Sequence, residues 1–375
     1  MKVLHLFKTY LPESFTGIER VIWNIAEGTY SLGVHSDVLS LSPHPSSAPL
    51  PIAHHFAHQA KLDLYVASTG LSLSVVEKFE QLSSKADIVN FHFPWPMMDV
   101  VHLLKPPKCP TVVTYHSDIV RQERLLALYR PLMHRFLDRV DCIVATSPNY
   151  LESSPVLQRY RGKTSMIPLG IDGVRPAFSS ATLSRWRERV GEGFFLFVGA
   201  PRYYKGLEFL IEAARLSGLP LVIAGAGREE VENLGHNDLT NAKIVGKVSD
   251  EDKEALLELS KAFVFPSHLR SEAFGVALVE AARAGRPMIS CEIGTGTSFV
   301  NTDGVTGIVV PPANAAALAS AMTYVSQNVE IAQRMGHHAA DSFKSNFTSE
   351  TMARSYYHLY ETLLSKRPLN TTQDR

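Results

Sequence analysis

Short runs of β-branched and aromatic residues alternate with helical apolar patterns along almost the whole chain. This alternation restricts the fold more than any other feature. A strand that feeds a crossover helix returns as a parallel neighbour, and repetition builds a parallel sheet covered by helices. In the first half the strand candidates are Lys2–Phe7, Ser36–Leu41, Asp87–Phe91, Thr111–Tyr115, Cys142–Thr146 and Ser165–Ile167. Helical patterns fit Ile18–Ser31, Leu71–Ser84, Ile119–Asp138 and Tyr150–Gln158. Ser42–His58, rich in Pro, Ser and His, reads as a loop with a small hairpin.

A second alternation begins near residue 194. Strands fit Phe194–Gly199, Leu219–Gly225, Ala242–Val245, Ala262–Phe265, Met288–Cys291 and Gly307–Val310. Helices fit Leu207–Leu216, Asp250–Leu259, Val276–Ala284 and Ala315–Val325. Pro168-Leu-Gly170-Ile-Asp172-Gly173, between the two alternations, suits a hinge. Two long helical patterns, about Glu330–Phe343 and Ser349–Ser365, close the chain before a polar tail expected to fray. The expectation is an α/β protein of two units, 1–169 with the helix 349–365, and 170–348.

Length supports two units, because 375 residues exceed what one core usually serves. Lys+Arg and Asp+Glu balance at 37 each, which argues against a nucleic-acid partner. No run approaches the roughly 18 apolar residues of a membrane span. Val3–Phe7 is too short for a signal peptide, so a cytoplasmic location is expected. Cys109, Cys142 and Cys291 lack paired or metal-type spacing and read as small buried residues in a reducing compartment. Ten of the 15 histidines precede residue 135; most are expected at the surface or in loops, where some would charge in mild acid.

The most informative stretch is Phe265-Pro-Ser-His-Leu-Arg-Ser-Glu272-Ala-Phe274-Gly275-Val276-Ala-Leu-Val-Glu280. It predicts a strand ending at Phe265, a loop carrying Glu272 and a helix opening at about Gly275. A helix start exposes unpaired N–H groups and positive dipole charge, so the amides of Phe274, Gly275 and Val276 can face a phosphate. Gly275 lets an anion approach without a Cβ in the way. Glu280, about one and a half turns in, can accept hydrogen bonds from ribose hydroxyls, and Glu272 can reach those of a sugar. Either glutamate alone favours the plainer reading, Glu272 as a cap and Glu280 as a solvated helix residue; the pair around Ala-Phe-Gly favours the ligand reading.

Glu272-Ala-Phe-Gly…Glu280 resembles the paired-glutamate motif of the family-4 retaining glycosyltransferases, which have the GT-B fold. The resemblance covers nearly the whole chain. It implies two Rossmann-like domains facing across a cleft, with the C-terminal helix crossing back to the N-terminal domain. Phe197-Val-Gly199 with Arg202 and Lys205-Gly206 is similar to the family's donor-phosphate segment, so Arg202 and Lys205 inherit the diphosphate. Phe7-Lys8-Thr-Tyr-Leu-Pro12…Thr16-Gly17-Ile18-Glu19 resembles the first loop, usually Gly-Gly; position 16 is Thr, so only Gly17 carries over. Tyr115-His116-Ser117-Asp118 resembles the active-site histidine position, where His116 would hydrogen-bond the transferred sugar. Ser147 and Pro168–Asp172 match the later strand end and hinge.

Glu292-Ile-Gly294-Thr-Gly296-Thr-Ser298 keeps the glycines of a family loop but lacks its acidic residue. With the opening segments it is similar to bacterial mannosyl- and rhamnosyltransferases of lipopolysaccharide O-chains. That resemblance implies a GDP-sugar donor and a glycan acceptor that is polyprenyl-diphosphate-linked; the family resemblance implies retention of anomeric configuration, for which attack on the face the leaving phosphate departs is the working assumption. No Asp-x-Asp-type cluster lies in a donor loop, so no metal and no cofactor are expected. Ile119–Val140 carries Arg121, Arg124, Arg130, Arg135 and Arg139 among apolar residues. An amphipathic helix packed on the sheet, broken at Pro131, is favoured over one docked on an anionic membrane, though its Arg face can still touch lipid headgroups.

Other readings remain. A GT-B sugar-nucleotide epimerase would need no acceptor, and a non-catalytic nucleotide-sugar-binding subunit would bind without transfer. A nicotinamide oxidoreductase is disfavoured because Gly225-Ala-Gly227 is only half a dinucleotide fingerprint and reads as a tight turn lining the nucleotide pocket.

Overall fold

Ile88–Phe93, Thr111–Tyr115 and Cys142–Ala145 are buried at every residue, as strands covered on both faces require. They lie in the first of two large sheets in a computed structural model of the chain, which describes residues 1–66, 69–119, 123–233 and 239–366. The sheet has eight strands in the order Thr164–Met166, Cys142–Ala145, Thr111–Tyr115, Ile88–Phe93, Lys2–Leu6, His35–Ser42, His55–Lys61 and Leu50–Ile52. All neighbours are parallel except the last pair, which is a hairpin.

The second sheet has six strands, all parallel, in the order Ala242–Gly246, Leu221–Ala224, Phe195–Val198, Ala262–Phe265, Met288–Cys291 and Gly307–Val310. Its core joins Phe195, Phe197, Ile223 and Val264 to Leu210, Leu318 and Met322 of the covering helices. Two compact units result, residues 1–146, 154–170 and 349–375, and residues 147–153 and 171–348. Asn149 donates to Ser298 Oγ at 2.9 Å and Ser153 to the Gly294 carbonyl, which ties 147–153 to the second unit.

The C-terminal helix Ser349–Ser365 belongs to the first unit. Asn90 Nδ2 donates to the Tyr360 hydroxyl at 2.9 Å, and Thr114 and Tyr356 hydroxyls lie 3.0 Å apart, all buried on the sheet. The helix Gly17–Tyr30 packs against it so closely that a Cβ at Gly28 would come within 2.7 Å of the Ala353 Cβ.

Several local expectations are corrected. The small hairpin expected in Ser42–His58 is present, Leu50–Ile52 against His55–Lys61, but its second strand also pairs parallel with His35–Ser42 and so extends the sheet. Pro155 splits Tyr150–Gln158 into Pro148–Ser153 and Pro155–Arg159, with Ser154 capping the second through its side chain. Helices at Pro96–Leu104 and Ser180–Val190 were not anticipated. Pro131 does not break its helix, which runs from Glu123 to Arg139, held down by buried Met133, Phe136 and Leu137. Its Arg130, Arg135 and Arg139 are exposed, as are Leu125 and Leu128; Arg121 and the Arg124 side chain lie outside the described residues. The expected fraying of the tail also concerns residues outside them. Among the described residues no helix is long and apolar enough to cross a membrane.

Most of the described histidines are exposed or half-buried, as expected, but five are not. His5, His55, His92, His102 and His116 are buried, because they stand on strands of the sheet, at a strand end or under a helix. Burial pushes the His5 and His116 pKa down to about 3 and that of His102 to about 4, so they stay neutral in mild acid.

Candidate active site

In an open parallel sheet the crevice for a ligand lies at the carboxyl ends of strands where the strand order reverses. In the second unit the reversal falls between Phe195–Val198 and Ala262–Phe265, and the loops leaving these two strands carry Lys205 and Glu272. Those side chains form an ion pair, each about one-seventh exposed. The Phe265 ring lies 4.5 Å from Lys205 Nζ, and Tyr204 contributes a second face at 5.4 Å. Ser267 Oγ approaches Glu272 at 3.5 Å, and the Tyr203 hydroxyl meets Ser271 Oγ at 2.8 Å. The His268 amide donates to the Tyr204 carbonyl at 2.9 Å, stitching the two loops. Arg202, exposed in the same loop, accepts the Lys205 amide on its carbonyl.

The helix Val276–Arg283 follows, with Gly275 at its N-cap in the left-handed region, φ +87°. Gly275 has no side chain to cap it, and among the described residues no side-chain cap is seen. Phe274 is buried, packing edge-on against Phe347. The amides of Phe274, Gly275 and Val276 thus gather at the positive end of a helix beside Lys205 and Glu272.

Glu280, on the same helix, accepts from Lys253 Nζ at 2.7 Å, and Lys253 also reaches Asp250 at 2.9 Å. Burial lowers the Lys253 pKa, but the charges of Glu280 and Asp250 outweigh it and raise it overall. Sequence reading missed Lys253, whose helix Asp250–Leu259 gave no ligand signal. The Thr/Gly loop rests on the helix mouth. Gly296 N donates to the Ala273 carbonyl at 2.9 Å, and a Cβ at Gly296 would come within 2.6 Å of the Phe274 ring.

Gly225 has φ +92°, and a Cβ there would meet the Gly199 carbonyl oxygen at 2.7 Å. This glycine serves strand-to-strand packing, the physical reason the half-fingerprint carries glycine.

In the first unit the order reverses between Lys2–Leu6 and Ile88–Phe93. His116 follows the adjacent strand Thr111–Tyr115, its amide donating to the Phe93 carbonyl at 3.1 Å. Gly17 opens the helix Gly17–Tyr30, and a Cβ there would meet nothing within 4 Å. Behind it Glu19 is buried, accepting from Thr9 at 2.6 Å and Thr16 at 2.9 Å. Burial works against this carboxylate, yet hydrogen bonds from Thr9, the backbone, Ser14 and Thr16 hold its pKa below the usual range. Glu19 was passed over at the sequence level, although Thr16-x-x-Glu19 has capping-box spacing.

Comparison with known proteins decides the family. Residues 15–175 match the family "Glycosyltransferase Family 4" and residues 182–342 match "Glycosyl transferases group 1". The chain is 51% identical to D-rhamnosyltransferase WbpZ of Pseudomonas aeruginosa, over 93% of each chain. The protein belongs to the family-4 glycosyltransferases. This transferase is also 47% identical to O-antigen chain mannosyltransferase C of Escherichia coli, over 98% of its own length and all of the relative. Its fold is GT-B. A sucrose-phosphate synthase from Thermosynechococcus elongatus superposes with TM-score 0.82 at 20% identity, covering 98% of this chain and 100% of that one. Anabaena HepE in complex with UDP-glucose superposes at 0.74 and 18% identity, covering 96% and 100%.

Proposed function

We propose that this glycosyltransferase moves a hexose or deoxyhexose, mannose or rhamnose, from a GDP-sugar to a growing O-chain glycan carried on a polyprenyl diphosphate. The names of the two relatives support the sugar and the pathway. The observation that carries the donor assignment is the Lys205–Glu272 pair beside the uncapped helix mouth at the strand-order reversal.

In this reading the diphosphate lies on the Phe274–Val276 amides and takes the charge of Lys205 and Arg202. Charge builds on the leaving diphosphate as the glycosidic bond breaks, so preorganised cations stabilise the transition state more than the ground state. These side chains supply the positive charge a metal would otherwise bring, and catalysis is assigned without metal or cofactor. Glu280 holds the ribose, with Lys253 fixing its carboxylate. Glu272 orients the sugar hydroxyls once the phosphate draws Lys205 away. Gly17 leaves room for the donor at the first helix start, and His116 hydrogen-bonds the transferred sugar. The leaving phosphate oxygen takes the acceptor proton on the face it departs, which gives retention. The exposed Arg130, Arg135 and Arg139 suit transient contact with the anionic inner face of a membrane.

The test is a thermal-shift screen of GDP-, UDP-, ADP- and dTDP-sugars, followed by transfer to a lipid-linked oligosaccharide and NMR of the new anomeric centre. Stabilisation by GDP-sugars, lost in Glu280→Ala, is expected, with an α product from an α donor. Stabilisation by UDP-sugars alone would overturn the donor, an inverted product the stereochemistry, and conversion of nucleotide sugar without acceptor the transfer itself.

A further inference from the structure

Three buried histidines on neighbouring strands form one hydrogen-bonded line in the first unit. His5 Nδ1 lies 3.1 Å from His92 Nε2, and His92 Nδ1 lies 3.0 Å from His116 Nε2. The rings of His92 and His116 are nearly coplanar in stacking, 19° apart with centroids 5.3 Å apart. They sit at Lys2–Leu6, Ile88–Phe93 and just past Thr111–Tyr115, adjacent strands on the carboxyl side of the order reversal.

A neutral imidazole carries one N–H and one lone pair, so each ring's tautomer dictates the next. Only two states satisfy both hydrogen bonds. In one, all three protons are on Nδ1, and the line runs outward: His5 donates to His92, His92 to His116, and His116 presents Nδ1–H. In the other, all protons are on Nε2, and the line runs inward to end on a His5 Nε2–H.

The two ends are unequal. His5 Nε2 is sealed and has no partner among the described residues, while His116 keeps 7% exposure as a residue and has no atom among the sealed, unpaired ones. The inward state buries an orphan N–H, a group native proteins almost never leave unpaired; the outward state buries only a bare lone pair. Charge does not reverse this: at the outer end the buried Glu19 carboxylate only offsets part of the burial that lowers the His116 pKa. At the inner end Asp37 acts on His5 from a partly exposed position where it already accepts from His58 at 2.6 Å, and His55 opposes it. Burial keeps all three rings neutral.

We propose that His92 and His5 are positioning residues that hold His116 in the Nδ1–H tautomer, so that it meets its substrate as a hydrogen-bond donor. The role of His116 toward substrate rests on the function proposed above; the relay itself does not. Polarisation along a hydrogen-bonded line strengthens each member, so the end donor is stronger than an isolated imidazole. An acceptor atom on the substrate, a hydroxyl or phosphate oxygen, is the matching chemistry.

The full-length transferase with 15N-labelled histidine reports the tautomers directly by NMR. The proton of His116, assigned by loss of its signals in His116→Ala, is expected on Nδ1. His92→Phe keeps a buried ring and breaks the line; with no donor holding Nε2 as an acceptor, the His116 proton is no longer confined to Nδ1, and kcat/KM falls roughly tenfold, the size of one oriented hydrogen bond. His92→Asn places an amide N–H where Nδ1 stood, and is expected to restore both the tautomer and most of the activity, with unfolding curves confirming that each variant folds. A His116 proton on Nε2 in the wild type overturns the relay, as does equal loss in His92→Asn and His92→Phe. If the tautomers are as stated but His116→Ala transfers at the wild-type rate, the relay stands and the substrate role of His116 falls.

Discussion

Gly206 lies against the backbone of Pro266, with its own φ at +65°: a Cβ built on Gly206 would sit 2.2 Å from the Pro266 carbonyl oxygen. The loop that carries Lys205 therefore closes onto the loop that carries Glu272 at a point where only glycine fits.

Gly206→Ala combines a left-handed backbone for a residue with a Cβ, about 1–2 kcal/mol, with a clash against backbone that cannot swing away. We expect a loss of about 2–4 kcal/mol in denaturant unfolding and a donor KM that rises more than acceptor KM. Wild-type stability would mean that the two loops do not meet as described.

Lys205→Ala removes the cation at the helix mouth and leaves Glu272 without its partner. Transfer is expected to drop by about 100-fold or more, as for loss of one preorganised charge at a developing anion. Glu272→Gln alone should lower turnover as well. The double variant should lose less than the product of the two single losses, because paired side chains couple. Strict multiplicativity in steady-state kinetics would separate their roles.

Gly17→Ala discriminates binding from packing. Nothing within 4 Å of the built Cβ opposes it, so unfolding stability should stay level or rise by up to about 1 kcal/mol. Activity should nonetheless fall at least about tenfold if a donor group approaches that backbone. Unchanged kcat and KM would remove Gly17 from the site.

Acid should weaken the first unit through its buried histidines. His5, His92, His102 and His116 have folded pKa values held below the ordinary 6.5. Below that value the unfolded chain binds protons that the folded chain refuses, so stability is full above about pH 6.5 and falls toward pH 4. Each responding histidine adds a slope of up to about 1.4 kcal/mol per pH unit. Asp99, whose carboxyl is pushed up by burial despite the Tyr129 hydroxyl, acts in the opposite sense, one group against these four and the likewise lowered His55 and His134. Urea unfolding from pH 4 to 7 should show the rise; a flat profile would contradict the burial of these rings.

Much of the fold was local information. The apolar run Ala262–Phe265 matches its strand end to end, because a doubly covered parallel strand reads as a near-continuous apolar run. The helix mouth at Phe274–Val276 was readable for the same reason: a strand end, a glycine and a helical period lie within one short stretch. The place of His55–Lys61 in the sheet was not readable, since its polar side chains are accommodated by particular partners, Glu27 for His55, Asp37 for His58 and Glu13 for Gln59.

What the sequence determined by itself was the alternation of elements, their approximate limits and which loops carry charge and glycine. Strand order was decided only by tertiary structure, and with it the reversal points that bring Lys205 to Glu272 across 67 residues and His5 to His92 across 87. Tertiary structure also gave Lys253 to Glu280, and Gly225 to the Gly199 backbone. The physical reason is that propensity and periodicity act over a few residues, whereas side-chain pairing depends on which strands lie adjacent and in what register.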